Sequence, residues 1–107
     1  MLAGTGLGRY AWAQGRREIR IGGQRVTTVD VHTHTIIPGT MELLGMTTPN
    51  NNANLIIGDS RIALMDQWGI DIEILSVNPF WYSLDIDDAR RVIDYQNRGL
   101  AEGCSRY

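Results

Sequence analysis

Val26-Thr27-Thr28-Val29-Asp30-Val31-His32-Thr33-His34 is a β-branched run that ends in two histidines separated by one residue. Side chains of a strand alternate between its faces, so Asp30, His32 and His34 share one face and Val29, Val31 and Thr33 the other. Two imidazoles spaced in this way project to one side, close enough to close on a single metal ion. They are the only histidines in the chain. A catalytic zinc takes about three protein ligands and keeps one position open, so the pair reads as half of a coordination shell. The bland alternative is a pair of ordinary surface or core histidines.

Upstream, Glu18-Ile19-Arg20-Ile21, Gly22-Gly23 and Gln24-Arg25-Val26-Thr27 predict two short strands around a glycine turn, the second arm running on toward His32. Downstream, Thr35 to Gly58 is a long connection with Pro38-Gly39, a helical turn at Met41-Glu42-Leu43-Leu44 and a polar stretch at Asn50 to Asn54. Loops of this length are lids, substrate-binding segments or surface excursions. A helix follows, capped by Asp59 or Ser60, with Ile62, Leu64, Met65 and Trp68 on its apolar side and Gly69 at its C′ position. Ile70 to Val77 is rich in β-branched residues and predicts a second strand ending at Asn78-Pro79. After Phe80-Trp81-Tyr82-Ser83, a second helix is predicted from Asp85 to Ala101, with Ile86, Ala89, Val92, Ile93 and Leu100 as its buried stripe. Strand and helix in alternation imply an α/β fold with a parallel sheet.

A length of 107 residues allows one small domain with a modest core. The formal net charge of -2, with both signs mixed, offers no basic face for phosphates and argues against a nucleic-acid partner. Arg16-Arg17-Glu18-Ile19-Arg20 reads as a solvated cluster. No stretch approaches the roughly 18 to 20 apolar residues of a membrane span, so no membrane partner is expected. Cys104 stands alone and reads as a small near-core residue by a helix end. Residues 1–17 form a separate tail, in which Ala11-Trp12-Ala13 has the small-x-small form of a signal-peptidase site. That tail is either the remnant of an export signal, with the mature protein beginning near Gln14 and placed outside the cytoplasm, or a plain N-terminal extension of a cytoplasmic protein.

Three stretches together resemble the amidohydrolase superfamily, in its amidohydrolase-2 branch typified by aminocarboxymuconate-semialdehyde decarboxylase: Val29 to Pro38, Arg61 to Asp71, and Leu75 to Tyr82. Tyr95 to Ala101 adds a weaker match. The resemblance implies that residues 18–107 are the N-terminal part of a metal-dependent barrel: the first two βα units of a (β/α)₈ fold, preceded by a short β-hairpin. Such a barrel needs about 250 residues, so the chain is expected to be an N-terminal fragment. His32 and His34 become the strand-one ligands of a divalent metal, usually zinc. A third histidine and a proton-handling aspartate belong to later strands in the family, so no catalytic residue is expected within this stretch. Asp30 belongs to the family's D-x-H-x-H pattern but is read as a maker of structural hydrogen bonds.

The resemblance also implies a small-molecule carboxylic acid substrate, with Arg61, Asn78, Phe80, Trp81 and Tyr82 as candidate binding residues. Arg61 opens the first helix, where its guanidinium either grips a carboxylate in two-pronged fashion or caps and pairs with Asp59. Phe80, Trp81 and Tyr82 either line the mouth of the site, suiting a conjugated or aromatic acid, or pack beneath the long first loop. Asp66, Asp71 and Glu73 fall toward the opposite end and receive no catalytic role. The expected activity of the complete protein is decarboxylation, with metal-dependent hydrolysis of an ester, lactone or amide as the alternative. The 107 residues alone are read as catalytically inactive. A homodimer of the complete protein is an arrangement this family leaves open.

Overall fold

Gly22 and Gly23 take φ values of +58° and +81°, the backbone that a two-residue hairpin turn requires and that side chains other than glycine rarely adopt. Around them β1 (Arg20–Ile21) pairs antiparallel with β2 (Gln24–Arg25). The computed structural model describes residues 15–47, 53–78 and 81–107. The cleavage-site reading of residues 11–13, most of the polar stretch at 50–54, and Pro79-Phe80 lie outside the described residues. The hairpin arms are shorter than their sequence suggests. Val26 still donates its amide to the Ile19 carbonyl at 3.0 Å before the chain leaves the hairpin, and β3 (Val29–Thr35) begins three residues later.

β3 pairs in parallel with β4 (Ile72–Val77), and α1 (Asp59–Trp68) lies between them in the chain. A short 3₁₀ turn at Trp81–Ser83 leads into α2 (Ile86–Arg106). The fold is therefore mixed α/β, with two small sheets and two helices, and the described strands do not close into a barrel. Among the described residues no helix is long and apolar enough to cross a membrane.

The parallel register aligns Val29 with Ile72, Asp30 with Glu73, Thr33 with Leu75, His34 with Ser76 and Thr35 with Val77. One extra residue is inserted in β3 between Asp30 and Thr33. The backbone N–H of His32 there donates to Asp30 Oδ1 at 3.1 Å, so the aspartate side chain serves an amide at the irregularity.

α1 starts without a side-chain cap. Gly58 is its N-cap residue, and its carbonyl accepts from the Arg61 and Ile62 amides, which corrects the expected Asp59 or Ser60 cap. Gly69, at φ +74°, ends the helix in the left-handed conformation expected of a C′ glycine. Trp68 is 55% exposed, and the one buried residue of α1 is Arg61. α2 runs five residues further at its C-terminal end than its periodicity suggests. Asp85 caps it by accepting from the Asp87 and Asp88 amides, and those bonds hold its carboxyl below the usual carboxylate range. Of the expected stripe, Val92 is fully buried while Ile86 and Ile93 are exposed. Cys104 is also exposed, in the last turns of α2, and not near-core as its small size suggested.

The core sits where the segment leaving β3 meets α2. Thr35, Ile37 and Thr40 from one side and Val92 and Gln96 from the other are buried there. Tyr95 donates its hydroxyl to the Pro38 carbonyl at 2.7 Å, over a turn in which Gly39 has φ +86°. Gly99 and Gly103 let α2 approach Ile37 and Ile57 closely, since an added Cβ would come within 2.5 Å and 2.6 Å of their side chains. The sheet is only partly covered, with Val29, Val31, Ile72 and Ile74 between 47% and 76% exposed.

Asp71 ties the N-terminal hairpin to the start of β4. Its Oδ1 accepts from Arg16 at 2.7 Å and Arg25 at 2.5 Å, and its Oδ2 from the Thr28 amide at 2.8 Å. Arg16, which stays exposed, also meets Asp66 at 3.4 Å and so tethers the N-terminal segment to α1. The Thr28 amide foremost, then the two guanidinium groups, hold the Asp71 carboxyl below its ordinary range against a partly opposing effect of burial.

Two predictions follow from this packing. A folded-state pKa that is depressed contributes stability above the unfolded value of about 3.9 and loses it as pH falls through the folded value. Urea unfolding between pH 7 and pH 2.5 is expected to show stability falling on the acid side, with a shallower fall in Asp71→Asn, which is also less stable at pH 7. In α2, Gly103→Ala gains up to about 1 kcal/mol of helix propensity but forces Ile57 aside, at a cost of about 1–3 kcal/mol. Net destabilisation in urea is the expected outcome.

Candidate metal centre

The histidines stand at the C-terminal half of β3, where the parallel pairing with β4 holds the backbone extended. Both are exposed. Their rings meet edge to face, with centroids 5.0 Å apart and planes at 73°. His32 Nε2 and His34 Nε2 are 3.1 Å apart. Two nitrogens held by one tetrahedral zinc at 2.0–2.1 Å stand about 3.3–3.4 Å apart, so the pair has nearly the spacing of a chelate before any ion is considered. The same spacing suits a hydrogen bond in which one ring donates and the other accepts. Either way the two nitrogens stand within direct contact of one another.

Asp30, two residues before His32, does not join them as a third donor. Its carboxylate is engaged by the His32 amide and has the Thr33 hydroxyl beside it, and these hold it below the usual carboxylate range. Among the described residues no group of three or more His, Cys, Asp or Glu could hold a metal ion. The arrangement is a two-point clip that fits part of a metal's shell.

Arg61 lies directly behind the clip. It is 4% exposed. Its Nε donates to Glu73 Oε2 at 2.5 Å, NH1 to the carbonyls of His34 at 3.1 Å and Asn54 at 3.3 Å, and NH2 to the His34 carbonyl at 3.2 Å. A guanidinium carries five N–H donors, and these bonds use most of them. The ion pair is with Glu73, not Asp59, and a two-pronged grip on a substrate carboxylate is not available in this arrangement. The arginine instead anchors the carbonyl of the second histidine.

Asn78 is exposed just beyond β4. Trp81 opens the 3₁₀ turn, Tyr82 is 85% exposed and so is not packed beneath the first loop, and Phe80 lies outside the described residues. Two residues at the centre received no site role from the sequence. Glu73 is the buried partner of Arg61, with a side chain 9% exposed. Ser76, opposite His34 in the register, places its Oγ 3.4 Å from His34 Nδ1 and 3.4 Å from the Thr33 carbonyl. The available signal was the pairing of strand ends: aligning the two β-branched runs at their C-terminal ends sets Ser76 beside the HxH.

No known protein family, curated protein or solved structure matches this chain.

Zinc binding is expected to be weak and to depend on both imidazoles, since two ligands leave the remaining positions to water. Calorimetric titration of the purified chain should lose its heat signal in His32→Ala and in His34→Ala. Unchanged binding in the double substitution would take these residues out of the site. Arg61→Met, which strands Glu73, is expected to destabilise by about 3–5 kcal/mol in urea, and the joint Arg61→Met, Glu73→Leu replacement by less.

Proposed function

We propose that His32 and His34 are the strand-one half of a divalent metal site in an amidohydrolase-related enzyme. On this reading β3, α1, β4 and α2 are the first two βα units of a (β/α)₈ barrel. The observation that carries it is the 3.1 Å approach of the two Nε2 atoms near the C-terminal end of a parallel strand. That is the end at which such barrels place their chemistry.

A divalent ion held there, zinc by the nature of the donors, would polarise a substrate oxygen and lower the pKa of a bound water toward about 7. The chain's own residues supply two neutral imidazole donors and a rigid mount for them. Arg61 and Glu73 secure the His34 carbonyl from behind, and the Asp30 carboxylate holds the His32 amide. The remaining ligands and the proton-handling group would come from strands beyond these 107 residues. By themselves the residues described here bind metal without turnover.

For the complete protein the favoured reaction is loss of carbon dioxide from a small conjugated or aromatic carboxylic acid. The likeness of Leu75 to Tyr82 to the decarboxylase branch and the exposed aromatic Tyr82 beyond β4 support it. Metal-dependent hydrolysis of an ester, lactone or amide is the second reading. It is favoured by the engagement of Arg61 with protein groups, because a neutral substrate needs no carboxylate holder. The barrel architecture does not choose between them, since it carries many chemistries.

The test uses the longest in-frame chain that contains these residues, loaded with zinc. It is offered aromatic and muconate-type acids beside lactones and amides, with carbon dioxide release and ring opening followed separately. Carbon dioxide release that disappears in His32→Ala is the expected result. Turnover of the hydrolytic substrates alone would overturn decarboxylation and leave the metal site standing.

A further inference from the structure

The second strand brings a hydroxyl to the far side of the clip, at a distance that the metal reading does not by itself require. Ser76 stands beside His34 because the parallel register aligns them. Its single hydroxyl lies 3.4 Å from two groups, the Thr33 carbonyl oxygen and His34 Nδ1. A serine hydroxyl has one hydrogen to give and two lone pairs to receive with. The Thr33 carbonyl can only accept, so keeping that bond commits the hydrogen to it. The face of Oγ turned to His34 is then a lone pair, and Nδ1 must carry the proton. In a neutral imidazole this leaves Nε2 as the bare, electron-pair-bearing nitrogen. It is the nitrogen aimed at His32 Nε2, 3.1 Å away. The reversed relay, with Ser76 donating to Nδ1 and His34 protonated at Nε2, forfeits the Thr33 bond and points a hydrogen into the clip.

We propose that Ser76 is a positioning residue that holds His34 as the Nδ1–H tautomer and so keeps its Nε2 lone pair presented at the clip. It would not touch a bound metal and acts wholly through His34. In the free chain the hydrogen between the two Nε2 atoms belongs to His32, which donates to His34. The metal consequence rests on the reading of His32 and His34 as ligands, whereas the tautomer itself does not. Partners of this kind, which orient a metal-binding imidazole through its other nitrogen, typically change metal affinity by about 10- to 100-fold when removed.

The experiment is long-range proton–nitrogen correlation of the two imidazoles in the metal-free chain, at a pH where both are neutral, for the native sequence, Ser76→Ala and Ser76→Thr. A zinc competition titration runs on the same three samples. Ser76 is exposed, and threonine keeps both the hydroxyl and a side chain favoured in strands, so at least one variant reports on the folded protein. The native chain is expected to show His34 protonated at Nδ1. Ser76→Ala should average its two nitrogens and weaken zinc binding by about 10- to 100-fold, and Ser76→Thr should restore both. A native His34 protonated at Nε2, or a tautomer unmoved by Ser76→Ala, would overturn the proposal. If the native chain binds no zinc but the tautomer shifts as described, the relay stands and the metal reading falls.

Discussion

The buried pair of Arg61 and Glu73 is the interaction on which the rest of the arrangement depends. It joins α1 to β4, and through the remaining guanidinium donors it also holds the carbonyls of His34 and Asn54. One side chain thus reaches both strands of the parallel sheet, the turn that precedes α1, and the backbone of a metal-binding candidate. Removing charges from water is costly, and such a pair is tolerated only when its hydrogen-bonding capacity is filled. Here the carbonyls of His34 and Asn54 take up most of what the guanidinium has left to donate. The backbone of His34 is therefore held by an ion pair behind the strand.

Apolar packing is indeed sparse. Among the described residues Ile37 and Val92 are the buried hydrophobic side chains, while Val29 and Val31 of β3 and Ile72 and Ile74 of β4 stay substantially exposed. Polar links do the work elsewhere: Asp71 gathers Arg16, Arg25 and the Thr28 amide, and the Tyr95 hydroxyl bridges to Pro38. The apolar faces of this strand pair remain open, whereas parallel sheets usually bury both faces. The clip is in the same condition. Two donors converge, and the coordination shell that would make them a catalytic centre needs further ligands.

What can be read at the level of residues follows how local the cause is. Gly22-Gly23 and Gly69 announced a turn and a helix end because a positive φ is a property of glycine itself. Asp85 opened α2 as an acidic cap should. The α1 cap failed for the same local reason turned around: the Gly58 carbonyl receives the first helical amides and the neighbouring side chains supply no cap bond. Of the apolar stripe of α1, Ile62, Leu64 and Met65 are half-buried, and only Trp68 at its end is exposed. The role of Arg61 was open between a substrate, Asp59 and a cap, and only the fold brought Glu73 to it.

The sequence by itself determined the α/β alternation, the parallel strands and the convergence of His32 and His34, because strand periodicity acts over a few residues and needs no distant partner. Tertiary structure decided everything that depends on which residue of one strand faces which of another. The register set Ser76 against His34, the extra residue in β3 turned the His32 amide to Asp30, and the burial of Arg61 turned a candidate substrate ligand into the anchor of the site. Ser76 and His34 are 42 positions apart and Arg61 and His34 are 27 apart, and no local pattern encodes either contact.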